Sequence, residues 1–92
     1  MRVHDRVRAF QRALSPEPRR ALKAGILGLA HGKGDLRALE DELAGLYRLR
    51  VGAHRVIFLY APDGAIRCFF AERRAVVYEL LAASLPELIA GE

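Results

Sequence analysis

Ninety-two residues carrying a formal net charge of +4 are enough for one domain with a single core and too few for two. Just over half of them (52%) are apolar, no apolar run approaches the length of a bilayer span, and the single cysteine, Cys68, cannot form an internal disulfide. Disulfide-stapled and membrane-spanning classes are therefore excluded, and with nothing at the N-terminus resembling a secretion signal, a soluble protein in a reducing cytoplasm is the expectation.

The first predicted element is an amphipathic helix. Val3, Val7, Phe10 and Leu14 recur at helical spacing, with Asp5, Arg6, Arg8, Gln11 and Arg12 between them. "SPEP" then ends one helix and starts another: Ser15 suits the cap, Pro16 the first helical position and Glu17 the positive end of the helix dipole. The second helix is expected from about Pro16 to about Ala30, with Leu22, Ile26 and Leu29 on one face and the glycines of "HGKG" closing it. Joined by a tight turn, the two make a helical hairpin.

From Asp35 to Ala44 the pattern is charged and irregular, and reads as a short helix or ordered loop anchored by Leu39 and Leu43. After Gly45 the period changes to two. Leu46, Arg48 and Arg50 alternate with Tyr47, Leu49 and Val51 in a first strand, "GA" offers a tight turn, and "HRVIFLY" is a second strand. "PDG" is a turn, and "AIRCFF" a third strand. Short connections make the three an antiparallel meander. Val77, Leu80 and Leu81 then predict a third helix from about Arg74 to about Ser84, with Pro86 ending it or bending the chain. Tyr47 and Tyr60 fall on core positions, and Cys68 reads as a small buried hydrophobe.

The placement of the cations is the informative feature. There are thirteen arginines, with Lys23 and Lys33 as the lysines, a bias that codon usage alone would also produce. A pI near 9.8 suits contact with nucleic acid or an acidic protein and does not choose between them. Strand alternation places Arg48 and Arg50 on one side of the first strand, roughly 7 Å apart, where they repel unless an anion sits between them or water solvates both. Arg55 follows on the next strand, and Arg73 and Arg74 after the third, so the five fit one concave face that cradles a phosphodiester. They equally fit a solvated sheet face whose charges discourage aggregation.

His54, next to Arg55, is a candidate acid or base near neutral pH, and equally an ordinary polar turn residue. Tyr78 lies four residues after Arg74 on the third helix and can face the same way, to stack on a base, orient a phosphate or close the core. His4 and His31 suggest only capping or solvation. No histidine pair has metal-ligand spacing, so neither a metal nor another cofactor is expected.

"LEDELAGLYRLRVGAHRVIFLY", followed by "AIRCFFAERRAVVYEL", resembles the RelE/ParE superfamily of toxin–antitoxin toxins, with the helical hairpin ahead of it matching in position and length. The resemblance implies a single α+β domain over residues 1–92: an N-terminal helical hairpin packed on a small antiparallel sheet of three or four strands, with a C-terminal helix. It implies Arg48, Arg50, Arg55, Arg74 and Tyr78 as catalytic residues, with His54 and Arg73 as RNA-binding or acid–base groups. The "R-x-x-x-Y" ending favours the RelE branch, whose members cleave messenger RNA on the ribosome without a metal. The implied partners are an acidic antitoxin, the ribosome and mRNA. The alternatives are a ParE-like inhibitor of DNA gyrase and an inactive member that only binds antitoxin or RNA. Two departures stand out: Val3 already joins the helical stripe, so the family's N-terminal strand is expected to be missing, and Glu72 stands where a RelE-type toxin carries an arginine.

Overall fold

A computed structural model describes residues 1–90 of the chain. Its elements are β1 (Arg2–Val3), α1 (Asp5–Ala13), α2 (Pro16–Leu29), β2 (Asp35–Ala38), a turn of 3-10 helix (Asp41–Leu43), β3 (Tyr47–Val51), β4 (His54–Tyr60), β5 (Ile66–Arg73) and α3 (Val77–Ala90). The strands form one five-stranded sheet in the order β1-β5-β4-β3-β2. All pairings are antiparallel except that of β1 with β5, which is parallel.

The expected helical hairpin is present. His4 caps α1, its Nδ1 accepting from the Arg6 backbone N–H at 3.1 Å. Ser15 takes the cap position of α2 but makes no side-chain capping bond, leaving Pro16 and Glu17 as the start signals. The β3–β4 turn falls at Gly52-Ala53, and Gly52 has φ of 58°, as a two-residue hairpin with positive φ at its first central position requires.

Alternation along the strands divides the core in two. On one face Leu49, Val56, Phe58 and Cys68 meet Val7 of α1 and Leu22, Ile26 and Leu29 of α2. Gly25 lets α2 approach closely, since a Cβ there would lie 2.6 Å from Val51 Cγ2. On the other face Ile57 and Phe69 meet Val77, Leu81 and Leu88 of α3. Among the described residues no helix is long and apolar enough to cross a membrane.

Five expectations are corrected. The sheet has five strands rather than three or four, and is mixed rather than wholly antiparallel. The N-terminal strand is present: Arg2 pairs with Arg67 and Val3 with Cys68, so Val3 packs on the first core from a strand, not from the helical stripe. Asp35–Ala38 is an edge strand instead of helix or loop, because pairing with β3 supplies what its charged composition does not. Finally, α3 runs through Pro86, because Leu88 beyond the proline is buried in the second core. Tyr47 is half-buried as a stacked partner of Phe58, while Tyr60 is 48% exposed rather than in the core.

Candidate functional site

The cations gather on the sheet face that α3 covers only in part. Cross-strand partners share a face, so register places Asp35, Arg50, Arg55 and Glu72 in one row across β2 to β5. The adjacent row holds Arg37, Arg48, Ile57 and Phe70. In that row two arginines stand directly opposite each other on β2 and β3. The other row does the same with Arg50 and Arg55 on β3 and β4.

The repulsion between Arg48 and Arg50 is met from within the chain. Asp35 Oδ1 lies 3.5 Å from Arg48 Nη1, and its Oδ2 lies 3.9 Å from Arg50 Nη1. The two arginines differ in setting: the Arg48 side chain is 13% exposed and that of Arg50 is 54% exposed. Arg48 Nη1 is itself buried and has no hydrogen-bond partner, so its contact with Asp35 is one of charge alone.

Arg55 stands opposite Arg50 in the same row and is buried, 6% exposed. Its Nη1 donates to the carbonyls of Gly52 at 2.8 Å and His54 at 2.9 Å, fastening the β3–β4 turn. Burial lowers its pKa from the usual guanidinium value, as do the positive charges of Arg50, Arg48 and Arg74, with Tyr78 acting in the opposite sense. The residues whose charges bear on Arg55 are thus the other four of the sequence-derived catalytic set. Arg74 comes to this place because its backbone N–H donates to the Ala53 carbonyl at 2.7 Å, tying the β5–α3 connection to the hairpin turn. Tyr78, in the first turn of α3, is 41% exposed and shares a cavity of about 240 Å³ with Arg37, Ala38, Leu39 and Glu40.

Two sequence candidates lie elsewhere. Alternation along β4 sends His54 to the face opposite Arg55, where its ring meets Phe10 of α1 edge-on at 5.5 Å. From that position His54 is separated from the arginine row by the sheet itself. Arg73 pairs with His54 in register and projects away from the arginine row. Its Nε stands 3.8 Å from Glu72 Oε1, which also accepts the Arg73 backbone N–H at 2.9 Å. Glu72 is in the row but turned to this neighbour, which tempers its repulsion of an incoming anion.

Asp35 and Arg37 are the residues that sequence reasoning missed. Both belong to β2, and the signal was available: "DLRA" after Gly34 alternates charged residues with Leu36 at a period of two. Four residues at a sheet edge are too few for that period to stand out.

No protein-family model matches the sequence, and no curated protein matches it. Among solved structures the chain is similar to one described as a RelB–RelE antitoxin–toxin complex from Methanococcus jannaschii. The TM-score is 0.69 at 16% identity, over 87% of this chain and 98% of that one. At that identity the likeness concerns the backbone, and the chain has a RelE-like fold.

Proposed function

We propose that the chain is the toxin of a type II toxin–antitoxin module and acts as a RelE-like, ribosome-dependent mRNA endonuclease. The observation that carries this is the register that sets Arg48, Arg50 and Arg55 on one sheet face, with Arg74 tied to the same hairpin turn and α3 leaving that face partly open. The reaction is attack of a ribose 2′-OH on its own 3′-phosphate: the new O–P bond forms as the bond to the 5′ oxygen breaks, leaving a 2′,3′-cyclic phosphate and a 5′-hydroxyl. It requires stabilisation of charge on phosphorus, removal of the 2′ proton and protonation of the leaving oxygen.

In this reading Arg48 and Arg50 hold the phosphate, Arg74 adds charge from the side, and Arg55 adds charge from the next strand while holding the hairpin turn that carries Arg50. An arginine is a poor base because its guanidinium stays protonated near neutral pH. With His54 on the other face, the exposed phenol of Tyr78 is the candidate of this set for moving a proton. A face with this excess of cations also suits an acidic antitoxin, which would neutralise the toxin by covering it.

Induced expression should stop growth and translation within minutes, with new mRNA 5′ ends falling inside translated codons. Broken DNA with intact messages would select a gyrase inhibitor instead, and unaffected growth an inactive binder. An acidic protein from the neighbouring gene should co-purify with the chain, and its failure to do so would count against the toxin assignment.

A further inference from the structure

Asp35 sits where a ligand's anion would lie. It offers one oxygen to each guanidinium, at 3.5 Å from Arg48 Nη1 and 3.9 Å from Arg50 Nη1, much as the two non-bridging oxygens of a phosphodiester would. Register holds it there, since Asp35 pairs directly with Arg50. Yet the fit is incomplete. Both contacts exceed ordinary hydrogen-bond length, and the buried Arg48 Nη1 has no hydrogen-bond partner. One carboxylate only partly offsets two guanidiniums and a buried donor goes unsatisfied, the condition under which exchange for a better acceptor is favourable. The Asp35 side chain is 54% exposed and begins an edge strand, so it can leave for water without disturbing the core.

We propose that Asp35 is the internal counter-ion of the phosphate site. A phosphodiester enters between Arg48 and Arg50 by displacing the Asp35 carboxylate, and Asp35 thereby sets a threshold of affinity that strands with consecutive phosphates pass at concentrations where isolated anions do not. This rests on the reading of the face as a phosphate site and deepens it by naming what the phosphate must displace. Displacement costs the same for every ligand, whereas the return differs. An isolated phosphate gains Arg48 and Arg50 alone. A single strand of RNA also meets Arg37, opposite Arg48 on β2, and Arg74 beside the hairpin turn, and those contacts hold the displacing phosphate at high local concentration. Without Asp35 the paired arginines would be open to every small anion.

The test is binding by purified protein in the absence of ribosomes, with inorganic phosphate and a short oligouridine as probes at fixed salt. Asp35→Asn is expected to bind phosphate and oligouridine each roughly five- to tenfold tighter, because the cost it removes is common to both. In an Arg48→Gln background the same substitution should lose most of its gain. Asp35→Ser, with a melting curve alongside each variant, repeats the comparison should the amide perturb β2. Unchanged or weaker phosphate binding in the folded variants overturns the proposal, because Asp35 would then be holding the arginines ready rather than competing for them. Cleavage of ribosome-bound message is read separately. A protein that shows the binding shifts but cuts no message keeps the counter-ion and loses the endonuclease reading. One that cuts message while Asp35→Asn leaves binding unaltered loses the counter-ion alone.

Discussion

The two faces of the sheet are built from the same strands and have opposite character. Under α1 and α2 the face is closed: Val7, Leu22, Leu49, Val56, Phe58 and Cys68 are at most 1% exposed. Under α3 half of the face is apolar, around Ile57, Phe69 and Leu81, and the other half carries Asp35, Arg37, Arg48, Arg50, Arg55 and Glu72. In β3 the switch occurs at every residue, Tyr47, Leu49 and Val51 turning to the closed face and Arg48 and Arg50 to the open one. A step of one residue therefore separates a position that decides stability from a position that decides binding.

The difference can be broken most severely from the closed face. Phe58→Ala removes the largest fully buried side chain and should cost about 3–5 kcal/mol, read as a fall in the urea midpoint at unchanged slope. A loss under about 1 kcal/mol would mean that this face is not the stabilising one.

Cys68, on the same face, sharpens the comparison through pH. Burial pushes its thiol pKa from 9.0 up to about 11, against a small opposing effect of the N-terminal amine. Between those values the unfolded chain has released a proton that the folded chain still holds. This contribution is thus fully present below pH 9 and is lost as pH rises towards about 11, on the order of 2 kcal/mol in all. Melting curves across this interval should show a steeper decline for the native chain than for Cys68→Ala.

Gly25→Ala probes the spacing of α2 from the sheet. Alanine favours the helix, but its Cβ meets Val51 Cγ2 at 2.6 Å, and the net loss should be about 1 kcal/mol. Adding Val51→Ala should give a double variant less destabilised than the sum of the single changes, measured by denaturant titration.

On the open face the expected stability effect is smallest. Arg48→Ala with Arg50→Ala should change unfolding free energy by no more than about 1 kcal/mol, since the contacts with half-exposed Asp35 are longer than hydrogen bonds and contribute little, and repulsion is relieved. The same double change should abolish oligouridine binding and toxicity. A double variant that stays fully toxic would sink the phosphate reading of this face.

How far the sequence was legible follows the same division. Helices α1 and α2 were readable because Val7, Phe10, Leu22, Ile26 and Leu29 keep helical spacing, and β3 and β4 because their alternation is uninterrupted. β1 and β2 were not: two and four residues carry too little periodicity, and each owes its extended form to its partner strand, β1 to the distant β5 and β2 to β3. The gathering of Arg48, Arg50 and Arg55 could be anticipated from alternation within one hairpin. Asp35 could not, because its place between two arginines is a product of the β2–β3 register. The placement of His54 was hidden for a related reason, since adjacency to Arg55 along a strand means separation across it.

The parallel pairing of β1 with β5 bears on how the chain leaves the ribosome. Arg2 and Val3 leave the ribosome well before their partners Arg67 and Cys68, so α1 and α2 can coil while β1 still waits. Once β5 has formed, and until β1 docks, the edge of β5 has no strand beside it and another extended segment can take the place of β1. Two residues thus cover that edge, and refolding yield at high protein concentration is expected to depend on how soon they dock.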